Sequence, residues 1–171
     1  MRTLVIGGIE IPMQASYQLT QSYDPDQAVN RFRTMDGTLK QMVAYSGKLI
    51  TTISGGGQMP AGIQAIDYLL PVTIKCIAEE DIQIPGGLRV VDIPTARRAD
   101  YGVEGKALLN GVWVSTAVSM AGDTATLTAV VDATQYKAIY WPELVCYLDP
   151  PSRTRNNRKA DYGWSITAAQ I

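Results

Sequence analysis

The sequence contains no histidine, the residue that most often serves as general base, triad member or zinc ligand. It has only two cysteines, Cys76 and Cys146. Each is flanked by apolar residues in a strand-like run, so we expect buried free thiols. Two isolated cysteines cannot form a structural zinc site without histidine or further thiols. No ligand loop for calcium occurs either, so the sequence predicts no metal and no cofactor.

An excess of charge of either sign is also lacking. Lys+Arg 15 against Asp+Glu 16 gives a formal net charge of -1, so no bulk electrostatic field attracts nucleic acid. Apolar stretches such as 107–118 are interrupted by polar residues and fall short of the roughly 20 residues of a transmembrane helix. The apolar run at the N-terminus is too short for a signal peptide. We therefore expect no nucleic-acid partner, no membrane span and synthesis in the cytoplasm.

Carboxylates are the remaining candidates for catalysis, since glycoside hydrolysis needs only two acids at a suitable spacing. The acids considered are Asp67, Glu79, Glu80, Asp81, Asp92 and Glu143. Nothing in the spacing connects any two of them, and the run 79–81 is typical of a solvated loop. The glycine-rich segment 54–62 lacks the Gly-Lys-Ser/Thr ending of a phosphate loop, so we interpret it as a flexible turn. We predict no enzyme activity and no catalytic, cofactor-binding or metal-binding residue.

The residues that are abundant favour strands. The composition is 46% hydrophobic with Gly 15 and Pro 9, and β-branched residues recur in short runs that end at turn residues. The strongest hairpin signal is Asn110-Gly111 between 106–109 and 112–118. The sequence predicts a mainly β protein, an antiparallel β-sandwich or a barrel-like meander. These two topologies share the same strand signals.

The first third of the chain has the pattern of a meander of short strands. Asp36-Gly37 suits a type I′ hairpin turn, with 39–45 as the strand that follows it. We expect Pro25 to end the strand that begins at Ser16. Further short strands are predicted at 30–34 and 48–54.

At 171 residues, the length suits one ordinary domain with a modest arm. We predict a single β domain over 1–149, with an irregular excursion at about 78–101 where acids and prolines cluster. The segment 150–171 is predicted to be a basic linker followed by a C-terminal β-arm that completes a sheet, either its own or a neighbour's. Deletion of 152–171 is therefore expected to weaken assembly while leaving much of the fold intact. The pattern Arg98-Ala99-Asp100-Tyr101-Gly102 recurs as Lys159-Ala160-Asp161-Tyr162-Gly163, which suggests two similar turns.

Three segments of the first half carry a resemblance to a known family. They are Leu4–Pro12 with its Gly7-Gly8 pair, Arg31–Leu39 with its Asp36-Gly37 turn, and Gly47–Gly55. Together they resemble the N-terminal region of distal tail proteins and related tail-tip proteins of long-tailed bacteriophages. The likeness covers the first half of the chain and is one of overall texture, because this family lacks a sharp signature.

The resemblance implies a structural virion protein of the phage tail tip or baseplate, assembled in the host cytoplasm. Such proteins form a homo-oligomeric ring, with a hexamer favoured, that joins the tail tube to the hub and carries receptor-binding or fibre proteins. The β meander would then form the ring, and 78–101 together with the tail from Pro150 would reach neighbouring subunits. The chain has no obvious separate carbohydrate-binding domain, so receptor binding by this chain is not implied.

Two other functions remain open. The first is a small β-sandwich that binds cell-surface glycan through exposed aromatic side chains, because aromatic rings stack on sugars. The aromatic candidates are Tyr17, Tyr23, Tyr45, Trp113, Trp141 and Trp164. The second is a cell-wall hydrolase that uses two acids. The exposure of the tryptophans distinguishes a glycan-binding module from a structural tail protein, since a buried ring cannot stack on sugar.

Overall fold

The structure is a computed structural model of the chain. It describes residues 2–12, 15–84, 87–156 and 161–171, without the side chains of residues 17, 61, 155, 156, 161 and 162. About 60% of the residues lie in strands and 3% in helix, so the prediction of a mainly β protein is confirmed. The strand pairs in the described ranges are antiparallel, and their β-branched side chains suit the pleated surface.

Within the residues that the structure describes, fifteen strands and one short helix follow one another along the chain. The strands are β1 (Val5–Ile6), β2 (Ile9–Glu10), β3 (Tyr17–Arg33), β4 (Leu39–Gly56), β5 (Val72–Lys75), β6 (Glu80–Ile84), β7 (Val90–Asp92), β8 (Glu104–Leu109), β9 (Val112–Thr116), β10 (Val118–Ala121), β11 (Thr124–Leu127), β12 (Gln135–Tyr140), β13 (Glu143–Leu148), β14 (Ser152–Asn156) and β15 (Asp161–Gln170). A 3₁₀ helix, Ala61–Ala65, lies between β4 and β5.

The chain forms two compact units, and each is discontinuous in sequence. The first comprises Met1–Leu4 and Lys75–Leu144, and the second comprises Val5–Ile74 and Val145–Ile171. We refer to them as the middle unit and the outer unit. The domain boundary predicted at residue 149 stays a prediction. The chain passes from one unit to the other at three other places, after Leu4, Ile74 and Leu144.

The outer unit is built on the eight-stranded sheet, whose order is β2-β1-β5-β13-β15-β4-β3, with β14 paired to β15. Strand β15 lies between β4 on one side and both β13 and β14 on the other. Its alternate residues Trp164, Ile166 and Ala168 are buried, as expected for one face of a strand that covers a core. Strand β3 forms the far edge of the sheet.

The C-terminal strand is therefore a central strand of its own chain's sheet. Trp164 donates a hydrogen bond from Nε1 to the carbonyl oxygen of Ala15 at 3.0 Å, in a buried position. Deletion of 152–171 removes a strand with partners on both sides, which argues against the expectation that much of the fold stays intact. The predicted linker lies partly in residues 157–160, outside the described residues.

The middle unit contains a four-stranded sheet, β6-β12-β8-β9, and a three-stranded sheet, β10-β11-β7. One core of buried residues joins the two sheets: Ile84, Ile93, Ala107, Ala125, Leu127, Tyr136 and Ala138. Two antiparallel sheets that enclose one core form a β-sandwich. No sheet closes on itself within the described ranges. Of the two predicted topologies, the sandwich and the barrel-like meander, the fold is therefore consistent with the sandwich.

Two predictions for the middle unit have different outcomes. Asn110 and Gly111 have φ values of 49° and 81°, as a two-residue type I′ turn requires, and Leu109 pairs with Val112. That hairpin is confirmed.

The segment 78–101 is less irregular than predicted, because β6 pairs with β12 and β7 pairs with β11. Asp81 and Asp92 occupy exposed strand positions, whereas Glu79 precedes β6 and Glu80 is partly buried.

Candidate functional site

One exposed feature of the outer unit is the end of the hairpin formed by β3 and β4. Strand β15 pairs with β4 only from Ile50 to Gly56, so the described partner of the rest of β4 is β3. We call residues 25–48 the projecting hairpin. At about 3.4 Å per residue, its strands extend roughly 30 Å beyond the wider sheet. A two-stranded ribbon of this kind is only marginally stable in water by itself.

The hairpin is continuous because β3 is an edge strand. We expected Pro25 to end the strand, but it pairs with Leu49 inside β3, and that expectation is wrong. A proline lacks an N–H donor, and an edge strand can leave one such position unpaired at no cost. The register shifts between Asp26 and Ala28 and again at Val29, and Gly47 has a φ of 79°, so the ribbon is irregular near its base.

The turn at the tip is where the sequence placed it, but its type differs. The Gly37 N–H donates to the Thr34 carbonyl oxygen at 2.8 Å, and Gly37 has a φ of 84°. Asp36 is not left-handed, so the turn is not type I′. Its carboxylate accepts hydrogen bonds from the Thr38 N–H and the Thr34 hydroxyl, which lower the Asp36 pKa. These contacts fix the tip without a second left-handed residue.

Large apolar side chains are exposed along the projecting hairpin. They are Phe32, Met35, Leu39, Met42, Val43 and Tyr45. Side chains of directly opposed residues share a face, and the pairs Val29–Val43 and Asn30–Met42 are consecutive in the register, so apolar groups lie on both faces. A concentration of exposed apolar groups on one element is typical of an interaction surface. Sequence analysis missed this surface because it divided the ribbon at Pro25.

The charges of the hairpin are distributed unevenly. Arg31, Arg33 and Lys40 lie near the tip, where Asp36 is engaged by the turn. The base has Lys48 opposite Asp26, and the Asp26 carboxylate accepts a hydrogen bond from the Tyr45 hydroxyl at 3.0 Å. That bond raises the Tyr45 pKa. The tip is therefore both apolar and basic.

The outer unit also has an apolar cleft of about 680 Å³. It is lined by Gly7, Gly8, Ile9, Gly62, Ala65, Ile66, Asp67, Leu70, Pro71, Val72 and Thr73. The volume lies within the usual range for binding pockets, about 300–1,000 Å³. Asp67 is the charged residue of this lining, and Leu69 and Leu70 are exposed beside it.

The rim of the cleft is held by short local contacts. The Asp67 carboxylate accepts the Leu69 N–H at 2.9 Å, and the Tyr68 hydroxyl donates to the Ile63 carbonyl at 2.6 Å. A Cβ at Gly62 would lie 2.9 Å from the Ile9 Cδ1, so the absence of a side chain permits close packing there. The cleft thus has a rigid apolar wall with one carboxylate.

The tryptophans proposed for glycan stacking have different environments. Trp141 and Trp164 are 2% and 3% exposed, so neither ring is accessible to sugar. Trp113, on β9, is 36% exposed, and the Lys137 ammonium lies 5.1 Å from its ring centroid. Of the other aromatic candidates, Tyr45 lies on the projecting hairpin, Tyr23 lies on β3, and the Tyr17 side chain is outside the described residues.

The candidate acids are distributed over both units. Asp67 lies at the cleft, Glu143 begins β13 and Glu79 precedes β6. Asp81, on β6, forms a 2.6 Å ion pair with Lys137.

Two further acids of the middle unit lie on β6 and β7, which belong to different sheets. Asp92, on β7, accepts a hydrogen bond from the Thr124 hydroxyl at 2.7 Å. Burial and the neighbouring Asp81 raise the Glu80 pKa. Among the residues that the structure describes, no group of three metal-ligating side chains comes together.

A buried arginine organises the middle unit. Arg98 is 2% exposed, and its guanidinium donates to both Asp100 carboxylate oxygens at 3.0 and 2.6 Å. The remaining nitrogen donates to the carbonyl oxygens of Thr3, Cys76 and Lys75 at 2.7, 3.0 and 3.3 Å. All five donor contacts are to protein groups, so the arrangement holds three chain segments together rather than offering a site.

Aromatic rings complete this cluster. The Arg98 guanidinium lies 4.0 Å from the Tyr101 ring centroid, and the Tyr101 ring meets the Trp141 ring edge-on at 6.0 Å. The Arg2 guanidinium lies 3.7 Å from the Trp141 ring centroid. The first copy of the Arg-Ala-Asp-Tyr-Gly pattern, residues 98–102, therefore stabilises the fold of the middle unit. Its second copy includes residues 159 and 160, which lie outside the described residues.

The pairing of Asp100 with Arg98 predicts an acid-sensitive contribution to stability. The Arg98 hydrogen bonds lower the Asp100 pKa, so the native state binds this proton less readily than the unfolded chain. The contribution is complete above the ordinary carboxyl pKa of about 3.9, and it is lost as the pH falls through the lowered native pKa. Melting temperatures of the native chain and Asp100→Asn, compared from pH 7 to pH 2, are expected to converge at the acid end. A constant difference would contradict this.

No model of a known protein family matches the chain, and no curated protein matches it significantly. Within the described ranges, no helix combines the length and apolar character needed to cross a bilayer.

Proposed function

We propose that the chain is a structural subunit of the tail tip or baseplate of a long-tailed bacteriophage, where copies of it form a ring that joins the tail tube to hub and fibre proteins. The observation that carries this proposal is the projecting hairpin, which exposes Phe32, Met35 and Met42 on a ribbon with little support from its own chain. Association with another subunit would bury these side chains and supply the missing packing. The resemblance of the first half of the sequence indicates the phage tail.

The near balance of charges is compatible with this role, because a formal net charge of -1 causes little repulsion between closely packed copies. The alternative is a glycan-binding module, and Trp113 is the exposed candidate for it. Lys137 lies against that ring, so a sugar would have to displace an ammonium group that also pairs with Asp81. The observations on the hairpin therefore favour assembly over glycan binding.

Light scattering behind size exclusion tests the proposal, and we expect a discrete oligomer, with a hexamer favoured. The double variant Met42→Asp/Val43→Asp places charge on both faces of the hairpin and is expected to lower the mass toward that of a monomer. Both residues are exposed, so circular dichroism should show an unchanged melting transition. Val131→Asp, which alters an exposed apolar residue of the middle unit, is the matched control and should keep the native mass.

The outcomes separate clearly. A native chain that is monomeric at every concentration would remove the support for self-assembly. A native oligomer that the Met42→Asp/Val43→Asp variant retains would show that the part of the hairpin around Met42 and Val43 is not the contact surface.

A further inference from the structure

The outer unit carries two exposed apolar features that its own fold leaves uncovered. One is the tip of the projecting hairpin, residues 31–40, with Phe32, Met35 and Leu39 exposed. The other is the apolar cleft, flanked by the exposed Leu69 and Leu70. A convex apolar tip and a concave apolar wall are complementary in shape.

Their charges are complementary as well. The tip contains three basic residues, Arg31, Arg33 and Lys40, and one acid, Asp36, whereas the charged residue of the cleft lining is Asp67. The net positive tip and the Asp67 carboxylate would meet if a tip entered a cleft. Like charges would meet if two tips or two clefts faced each other, which disfavours symmetric contacts.

We propose that the hairpin tip of one copy of this chain inserts into the apolar cleft of the next copy. This inference rests on the proposed function and specifies the contact by which copies associate. A contact between two different surfaces of the same chain is heterologous, so each copy offers a tip to one neighbour and a cleft to another. Repetition of this contact produces a closed ring when the rotation between copies closes.

The dimensions of the two features are compatible. The cleft of about 680 Å³ admits a few side chains, and its wall is held by the Asp67–Leu69 and Tyr68–Ile63 contacts. The tip is shaped by its own turn, in which Gly37 donates to Thr34. The tip turn and the cleft wall thus each have hydrogen bonds of their own before association, which reduces the conformational entropy lost there on binding.

Engineered cysteines test the contact directly. Met35→Cys lies at the tip and Leu70→Cys at the cleft, and both native residues are exposed, so neither change should disturb folding. The native Cys76 and Cys146 are buried, which keeps the background of disulfides low. The two variants are purified separately, mixed, exchanged by dilution and reconcentration, and oxidised with copper phenanthroline. Non-reducing gels then report which chains are joined.

A disulfide-linked dimer is expected in the mixture and in neither variant alone. A chain carrying both substitutions should give a ladder that ends at the ring size measured by light scattering. Dimers from Met35→Cys alone would indicate tip-to-tip contact and overturn the inference while leaving self-assembly in place. A native oligomer with no cross-link in the mixture would also overturn the inference alone, whereas a monomeric native chain would overturn the inference and self-assembly together.

Discussion

Removal of residues 152–171 is expected to abolish the cooperative unfolding transition of the outer unit. The deletion takes away both β14 and β15, it leaves β4 and β13 without their partner β15, and it empties the positions of Trp164, Ile166 and Ala168 in the core. Truncation of one buried tryptophan costs about 3–5 kcal/mol, and a whole domain is stable by only about 5–15 kcal/mol. Loss of the complete strand therefore exceeds what the unit can tolerate.

A deletion of similar length elsewhere provides the control. Replacement of residues 27–47 by an Asn-Gly turn would connect Asp26 to Lys48, which are paired in the native register. This variant is expected to keep the fold and lose self-association, since the removed residues are exposed. Circular dichroism and near-ultraviolet spectra on heating distinguish the two deletions. A sharp native-like transition in the chain that lacks 152–171 would contradict the central position of β15.

Replacement of the buried arginine, Arg98→Met, is expected to destabilise the middle unit by about 3 kcal/mol or more. The methionine fills much of the volume but donates no hydrogen bonds, so the carbonyl oxygens of Thr3 and Cys76 lose a buried donor. Each such group costs about 1–3 kcal/mol when it is left unsatisfied. Arg98→Lys keeps the charge but not the planar fork that meets Asp100 through two nitrogens, so an intermediate loss is expected.

Urea unfolding measures this effect. With a slope of about 1–3 kcal/mol per M, a loss of about 3 kcal/mol lowers the midpoint by 1 M or more. Arg89→Met, at an exposed arginine of the same unit, is the matched control and should change stability by less than about 0.5 kcal/mol. Equal midpoints for Arg98→Met and Arg89→Met would show that the buried guanidinium contributes nothing.

The parts of the fold that the sequence predicted depend on local chemistry. Asn110-Gly111 specifies its turn because both residues adopt left-handed backbone at low cost, and the apolar neighbours of Cys76 and Cys146 indicate their burial. The mainly β character likewise follows from short β-branched runs. None of these predictions requires knowledge of distant residues.

The parts that were missed depend on residues far apart in the chain. Gly55 was assigned to a flexible turn, but it lies in β4, where a Cβ would come within 2.8 Å of the Trp164 ring. Arg98 looked like a loop residue because the carbonyl that it binds on Thr3 is 95 positions away. Pro25 was taken as a strand end because only the completed sheet shows that β3 is at an edge.

The apolar surface of the projecting hairpin could be predicted in part from the sequence. Phe32 stands between Arg31 and Arg33, and this alternation predicted a short strand at 30–34, beyond Pro25. A proline at an edge position permits such a strand. The cleft was not within reach, because its wall combines the Gly7-Gly8 turn with residues some sixty positions later, around Asp67.

The discontinuity of the outer unit has a consequence for the timing of biogenesis. Trp164 and the Ala15 carbonyl that it binds are 149 positions apart, so the ribosome produces the segment Lys75–Leu144 of the middle unit between the two halves of this contact. At about 5–20 residues per second, the nascent hairpin waits several seconds or more for the strand that anchors it. During that interval the core that Trp164, Ile166 and Ala168 later complete is unfinished. Mature copies become competent to associate only after β15 has been translated.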